Sequence, residues 1–525
     1  MHPPRMARRL AALAPLASLT ALAAVAPSAT AATGPIAGLD PAALEVMNQP
    51  AYANGQWLIS VRDMDTGEQL ISHNADALAE PGSVVKTYSM GAGWLHFGPD
   101  HQVVTPVKRR GKVVDGRLRG DLILVGKGDM TMGGRTKADG KVAYTNLDHN
   151  DANDIPGATL TPQNPLAGLD QLAEQVRAAG VRSVSGDVIV DDRLFETFEL
   201  VPNGPVTPIV INNNLIDFTT TPGKVGETAS IAMRPKVAPW KVTSQVKTVK
   251  AGGETDITVT SPRHGRVVLS GTVAADGGPV VNTYAFRDPA RYARTALIEA
   301  LGRAGVRVEA DPVSRNPARL LPSERAVVKL PSVAKLRSLS LDQEATYTLK
   351  VSYNRGAQTM ICLLAVEAGS KECNAGLAKA AEIWRRAGLD TGGAVLIDGS
   401  GLSGNLITMD NQVQLQTIMG RRPDAARWRA TLPILGVDGS LSLVQPGGPA
   451  TGKVFAKTGT LAQGDLFNDR LLFPAKGLGG YIDAASGRRL VFSIVAADSV
   501  FATIDGAFAA NDDVGKVVTI IQQSF

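Results

Sequence analysis

Alternating apolar and polar positions predict a β-hairpin near the start of the chain, followed at once by a helix. Residues 57–62 and 69–72 alternate like strands, and Asp65-Thr66-Gly67 between them is typical of a turn. Pro81-Gly82 interrupts this pattern, and residues 83–94 are mostly apolar, as in a buried helix. A strand pair followed by a helix that packs on it is a compact start for a mixed core.

The pattern changes between about residues 105 and 331, where short β-like runs alternate with turns rich in Gly, Asp and Asn. Three of these runs are residues 120–126, 185–192 and 255–260, and two helical patterns, 166–180 and 288–305, interrupt the series. This pattern predicts one or two inserted, mainly β domains, with two preferred, over 105–331.

Helical and strand patterns alternate again after Leu339. Helices are predicted over 352–369 and 375–388 and from Asp505 onward, a strand over 454–459, and a hairpin over 480–495 that turns at 485–487. We therefore predict an α+β protein whose main domain is discontinuous, with residues 32–104 and 332–525 on either side of the insertion.

The first 31 residues have the organisation of a secretory signal. Arg5, Arg8 and Arg9 precede an apolar run over 10–26, and Ala29-Thr30-Ala31 offers a small-residue cleavage site. No later run is long and apolar enough for a transmembrane span, so we expect an exported protein, periplasmic or on the wall side of the cell. Removal of this segment would lower the net charge from +5 to +2, which indicates no nucleic-acid partner.

Cysteine and histidine usage limits the chemistry further. Cys362 and Cys373 stand eleven residues apart, and either a disulfide or two buried thiols fits that spacing in an oxidising compartment. The six histidines show no metal-ligand spacing, so no metal site and no cofactor are predicted. The polar run over 148–154 lacks the ligand pattern of a calcium loop and is predicted to be a solvated loop.

A serine and a lysine at the start of the first predicted helix are the candidate catalytic pair. Ser83 and Lys86 are three residues apart, which places hydroxyl and amine on one helix face, and a serine with an amine base is a known acyl-transfer arrangement. Ser-x-x-Lys also occurs at Ser244, within a strand pattern that separates the two side chains, and at Ser332, which follows a proline and could open a helix.

Two further motifs lie downstream. Lys457-Thr458-Gly459-Thr460 occurs once, on a predicted strand, and offers positive charge, hydroxyl groups for a carboxylate and a glycine that permits close approach of a ligand. Ser352-Tyr353-Asn354 supplies a second hydroxyl and an amide where a strong helix is predicted to begin. Ser332 precedes this motif by only 20 residues, too few for the nucleophile helix and the elements between, which favours Ser83.

Ser-x-x-Lys, Ser-x-Asn and Lys-Thr-Gly in this order are the signature of penicillin-recognising serine enzymes. The first two motifs are separated by 266 residues, from Lys86 to Ser352. The chain thus resembles the low-molecular-mass class C penicillin-binding proteins, the D-alanyl-D-alanine carboxypeptidase/endopeptidase group of peptidase family S13. Their large β-rich insertion has the same place, and the likeness extends over nearly the whole mature chain, including residues 120–126, 186–192, 397–403 and 432–439.

This resemblance implies a serine β-lactamase/transpeptidase-like domain, an antiparallel sheet flanked by helices. It also implies peptidoglycan stem peptides and cross-links as substrates, and β-lactams as covalent inhibitors. The expected catalytic residues are Ser83, Lys86, Ser352, Asn354 and Lys457, with Thr458, Gly459 and Thr460 binding substrate. A β-lactamase or esterase of the same fold and a non-catalytic wall-binding protein remain alternatives. Residues 462–476, inserted where the family turns sooner, would lie beside the substrate groove.

Overall fold

The computed structural model describes residues 33–503 and 505–525. The predicted signal segment, 1–31, lies outside these ranges. Among the helices of the described ranges, none combines the length and apolar character that a membrane crossing requires.

The helices of the described residues lie on both sides of the strand-rich middle of the chain, and a few lie within it. They are α1 (Pro41–Met47), α2 (Lys86–Phe97), α3 (Ala167–Ala178), α4 (Pro289–Arg303), α5 (Glu324–Lys329), α6 (Leu341–Lys350), α7 (Asn354–Glu367), α8 (Ala375–Arg386), α9 (Met409–Gly420), α10 (Ala425–Ala430) and α11 (Asp505–Ser524). The helices predicted over 166–180, 288–305 and 375–388 correspond to α3, α4 and α8.

The strands are more numerous in the middle of the chain than at its ends. They are β1 (Gln56–Asp63), β2 (Gln69–His73), β3 (Val104–Val114), β4 (Arg117–Val125), β5 (Ser183–Val184), β6 (Val188–Asp191), β7 (Phe198–Leu200), β8 (Gly204–Val206), β9 (Leu215–Thr221), β10 (Ser230–Arg234), β11 (Lys241–Val249), β12 (Asp256–Arg263), β13 (Arg266–Ala274), β14 (Val280–Ala285), β15 (Arg307–Val308), β16 (Ser332–Arg337), β17 (Ala394–Val395), β18 (Leu406–Ile407), β19 (Val454–Asp465), β20 (Arg470–Asp483), β21 (Arg489–Ala497) and β22 (Ser499–Phe501).

An antiparallel sheet joins the two ends of the chain in the order β19-β20-β21-β1-β2, with β22 beside β20. Successive side chains of β1 point to opposite faces of this sheet. Trp57 and Ile59 therefore pack in a core with α1 and α11, whereas Leu58 packs in a second core with α2 and the helices of the C-terminal half. This arrangement confirms the predicted α+β fold, an antiparallel sheet flanked by helices.

The intervening residues form three further main sheets. One has the order β15-β5-β4-β3-β16, with β6 beside β4, and the other two are β10-β9-β14 and β11-β13-β12. Their apolar side chains, together with those of α3 and α4, share one buried cluster that includes Leu122, Phe218 and Leu269. The β-rich character of this region agrees with the sequence pattern.

We propose that the chain divides into a discontinuous catalytic domain and an inserted β-rich region of one or two domains. The pairing of β16 with β3 favours a return to the catalytic domain after Arg337 rather than at residue 332. The first boundary, at residue 104, coincides with the start of β3.

Ser332, which could have opened a helix, instead begins strand β16. Ala334 and Leu336 alternate into the core, while Ser332 and Lys335 are exposed. The copy at Ser244 lies in β11 as predicted. In both of these copies the serine and the lysine side chains are not hydrogen-bonded to each other, whereas those of Ser83 and Lys86 are.

The prediction of a solvated loop over 148–154 is also wrong at its first residues. Asp148 and His149 are buried: Arg135 donates to both carboxylate oxygens of Asp148, each at 2.8 Å, and His149 Nδ1 donates to Asp217 at 2.7 Å. The charge of Asp148 is thus compensated by Arg135, which lies outside this polar run, so the composition of the run does not show it.

Two boundaries differ from those predicted. Helix α7 begins at Asn354, not at Ser352, whose φ of 60° is incompatible with a right-handed helix. Strands β19 and β20 extend through the segment predicted as an insertion before the next strand, and pair as far as Asp465 and Arg470. Residues 462–476 therefore lengthen a hairpin, whose tip exposes Leu466 and Phe467.

Cys362 of α7 and Cys373, just before α8, form a disulfide in a buried cluster with Phe195, Leu200 and Val206. We expect the double variant C362A/C373A to lose about 2–3 kcal/mol of unfolding free energy, because a cross-link that closes a short loop limits the unfolded chain. Urea unfolding of both proteins, with and without reductant, measures this. Reductant should lower the stability of the wild type only; equal stabilities would contradict the prediction.

Candidate active site

Ser83 lies in a single 3₁₀ turn, Gly82–Val85, that leads directly into α2 at Lys86. The turn keeps the serine partly exposed, whereas the side chain of Lys86 is fully buried. Lys86 Nζ lies 2.7 Å from Ser83 Oγ. The predicted pairing of hydroxyl and amine on one face is thus present in the structure.

Three oxygens surround the Lys86 amine: Ser83 Oγ at 2.7 Å, Asn354 Oδ1 at 2.6 Å and the carbonyl of Ser400 at 2.7 Å. As an ammonium, Lys86 can donate one hydrogen to each. As a neutral amine it has two hydrogens and one lone pair, and only the serine hydroxyl among these three groups can donate. The neutral form is therefore oriented to accept the proton of Ser83.

The surroundings of Lys86 favour this neutral form. Burial lowers the pKa of Lys86 from its usual value of 10.5 to about 7, and the carboxylates of Asp398 and Asp151 act in the opposite direction. At neutral pH a substantial fraction of Lys86 is thus uncharged, as a general base must be.

Ser352 lies in the short connection between α6 and α7, and Asn354 is the first residue of α7. The left-handed conformation of Ser352, with φ of 60°, is rare for a residue other than glycine, and such strain is often associated with functional sites. Lys457 Nζ lies 3.0 Å from Ser352 Oγ, and Asn354 contacts Lys86. The second motif therefore bridges the first and the third.

Residues of the inserted region fix the orientation of Asn354. Asn354 Nδ2 donates to Asn203 Oδ1 at 3.0 Å, which turns the amide oxygen toward Lys86. Arg355 donates to the carbonyl of Asn203, and to that of Asn213 at 2.6 Å. The Asn354 side chain, which contacts the Lys86 amine, is thus itself held by residues between the first and second motifs.

Lys457 is buried on β19. Its amine donates to Ser352 Oγ, to the Thr458 carbonyl at 2.9 Å and to Thr458 Oγ1 at 3.2 Å, and Ser440 Oγ lies 2.7 Å from that hydroxyl. Burial and the neighbouring Lys86 lower the pKa of Lys457. An anion bound nearby would favour its charged form.

Two glycines allow the serine turn to pack against β19. A Cβ on Gly459 would lie 1.9 Å from the carbonyl oxygen of Pro81, and one on Gly82, whose φ is 53°, would lie 2.7 Å from the backbone nitrogen of Thr460. Gly459 was expected to admit a ligand; in the structure, the group that approaches it is the protein's own backbone. This contact places Ser83 beside the strand that carries Lys457.

Sequence reasoning missed several residues at this site. Asn203 lies in the turn between β7 and β8, whereas Ser440 and Asp151 lie in single 3₁₀ turns, and none of the three belongs to a recognisable motif. Burial raises the pKa of Asp151 to about 6. Ser400 lies within residues 397–403, which resemble the S13 family, yet its carbonyl contact with Lys86 has no sequence signal. Lys476 lies at the end of the predicted insertion, and its ammonium donates to Thr460 Oγ1 at 2.8 Å.

Comparison with known proteins gives matches over most of the chain. A family model described as D-Ala-D-Ala carboxypeptidase 3 (S13) matches residues 42–511. The D-alanyl-D-alanine carboxypeptidase of Actinomadura sp. (strain R39) is 29% identical over 487 residues, 86% of this chain and 79% of that protein. The D-alanyl-D-alanine carboxypeptidase DacB of Haemophilus influenzae is 22% identical over 457 residues, 82% of this chain and 83% of its own length.

Solved structures show the same fold. The crystal structure of penicillin binding protein 4 (dacB) from Haemophilus influenzae has a TM-score of 0.68 at 18% identity and covers 91% of this chain and 99% of its own. The structure of that protein in complex with a β-lactam has a TM-score of 0.66 at 19% identity, and the match covers 90% of this chain and 98% of that one. With the family match over 42–511, these similarities confirm the resemblance inferred from the three motifs, and the chain belongs to the D-Ala-D-Ala carboxypeptidase 3 (S13) family.

Proposed function

We propose that Ser83 is the nucleophile with which this serine D,D-peptidase attacks the carbonyl between two D-amino acids of a peptidoglycan stem peptide or cross-link. The observation that carries the proposal is the 2.7 Å contact of Ser83 Oγ with a buried amine whose pKa is about 7. An amine that is largely neutral near pH 7 can take the serine proton without a histidine.

The steps follow from the contacts around Lys86 and Lys457. Lys86 accepts the proton of Ser83 as the serine oxygen bonds to the carbonyl carbon. Ser352, hydrogen-bonded to Lys457, gives its hydroxyl proton to the leaving amine as the peptide bond breaks. It takes the proton held by Lys86 in exchange, so that Lys86 is neutral again when water enters. Water then attacks the ester, which releases the shortened peptide and restores the serine. Asn354 holds Lys86 and the amide of the bound peptide.

The developing oxyanion and the substrate carboxylate have separate partners. The backbone N–H groups of Ser83 and Thr460 form the oxyanion hole, and losing one such donor typically costs about 10²–10³ in rate. Thr458, Thr460 and Lys457 hold the carboxylate of the leaving residue. Gly459 permits the close packing that aligns these groups.

The partners and location of the protein follow from this chemistry. Penicillins contain a strained amide that would acylate Ser83 and leave slowly, so we expect β-lactams to be covalent inhibitors. The substrate lies outside the cytoplasm, in agreement with the signal pattern over 1–31 and with export to the periplasm or wall side.

Trapping with a labelled penicillin tests the nucleophile. We expect one adduct per chain, on the proteolytic peptide that contains Ser83, and none on S83A, because the hydroxyl forms the ester. Mass spectrometry of the digested adduct measures this. An adduct elsewhere would overturn the assignment, and rapid loss of the adduct would indicate a β-lactamase instead.

The variant K86M tests the base. We expect it to fold and to acylate about 10²–10⁴ times more slowly, the usual contribution of a general base. The matched control is K335M, the same substitution in the exposed Ser332 copy of the motif, which should acylate like the wild type. Stopped-flow acylation by a chromogenic β-lactam measures both; equal rates for the two variants would exclude Lys86 as the base.

The pH dependence of acylation tests the state of Lys86. Because the neutral amine is the reactive form, the rate should rise about tenfold per pH unit below 7 and level off above it. Asp151 raises the pKa of Lys86, so D151N should shift the profile to lower pH. A flat wild-type profile between pH 5 and 9 would contradict the prediction, as would a shift of D151N to higher pH.

A further inference from the structure

Lys476 is a buried amine that the three motifs do not include. It lies on β20 directly opposite Thr460 of β19, and on its other side it pairs with Ala496 of β21. Its side chain is buried, with 5% of the residue exposed. Among the side chains that the structure describes, no carboxylate forms an ion pair with it, so none of these groups compensates its charge.

The hydrogen bond of Lys476 determines what the Thr460 hydroxyl can do. Lys476 Nζ donates to Thr460 Oγ1 at 2.8 Å, and an ammonium has no lone pair to accept a hydrogen in return. The hydroxyl hydrogen of Thr460 must therefore point elsewhere, and Thr460 itself is exposed beside Ser83. The hydroxyl is thus prepared to donate to a group that enters from solvent.

The charge around this hydroxyl favours an anion. Lys476 is near enough to Lys457 to lower the pKa of that residue, and burial lowers the pKa of Lys476 itself to about 7. A buried ammonium without a carboxylate is unfavourable for folding, and a bound anion would supply the missing partner. A carboxylate on the substrate has the charge and the acceptor oxygens for this role.

We propose that Lys476 is a positioning residue that directs the Thr460 hydroxyl toward a carboxylate on the leaving residue of the substrate. The site then distinguishes a leaving residue with a free carboxylate from one in which that group is amidated. This inference rests on the proposed peptidase function and adds a determinant of specificity to it. The long β19–β20 hairpin holds Lys476 in place by pairing its backbone on both sides.

The test compares two peptides that end in D-Ala-D-Ala and differ only in their last group, a free acid or a carboxamide. The wild type should hydrolyse the acid with the higher kcat/KM. In K476M the acid-to-amide ratio of kcat/KM should fall at least about tenfold, the usual effect of losing a hydrogen bond to a charged group. Penicillin titration of Ser83 gives the active-enzyme concentration of each preparation.

Three variants control the measurement. K476R keeps the charge and should retain most of the acid-to-amide ratio of kcat/KM. K476Q keeps a hydrogen-bond donor without the charge, and it replaces K476M in the test if K476M does not fold. K453M makes the same substitution at an exposed residue just before β19 and should leave the ratio at the wild-type value. An unchanged ratio in both K476M and K476Q overturns the inference.

Thermal unfolding separates this role from a structural one. At pH 6 the amine is protonated and uncompensated, so K476M should have a higher Tm than the wild type. If K476M has a lower Tm than the wild type and loses kcat/KM equally for the acid and the amide, Lys476 only supports the fold, and the inference is overturned. If the wild type hydrolyses neither peptide, this inference fails, and the proposed function fails with it if peptidoglycan cross-links are not cleaved either.

Discussion

The orientation of one lone pair is the constraint on which the site depends. Lys86 is buried among three oxygens, and two of them, the Asn354 amide oxygen and the Ser400 carbonyl, can only accept hydrogen bonds. Once the amine is neutral, its two hydrogens bond to these oxygens and its lone pair faces Ser83. Burial produces both effects, because it removes competing water and lowers the pKa of the amine.

The inserted region contributes to this constraint although it is far from the motifs in sequence. Asn203 accepts a hydrogen bond from Asn354 and so fixes which atom of the amide meets Lys86. Arg355 holds the backbone of both Asn203 and Asn213. Residues between the first and second motifs thus support the start of α7, although the sheet formed by the other two parts of the chain is complete without them.

The same site gathers three buried amines, those of Lys86, Lys457 and Lys476. Mutual repulsion and desolvation favour the neutral forms of these amines. A neutral amine can act as a base, but it attracts an anion less than an ammonium does. The two demands are separated in space, since Lys86 contacts the serine whereas Lys476 contacts Thr460. A carboxylate that binds beside Thr460 would favour protonation of Lys476 and leave Lys86 neutral.

Local pattern and spacing were sufficient for the elements and for the order of the motifs. The strands around Ile59 and Val491, the helix after Pro81, the β-rich middle and the three motifs follow from periodicity and separation, which are properties of neighbouring residues. The strand at Ser332, the burial of Asp148 and the contacts of Asn203 and Lys476 were decided by the tertiary structure. Each depends on a partner distant in sequence, and a single sequence contains no local signal for which distant segments will meet.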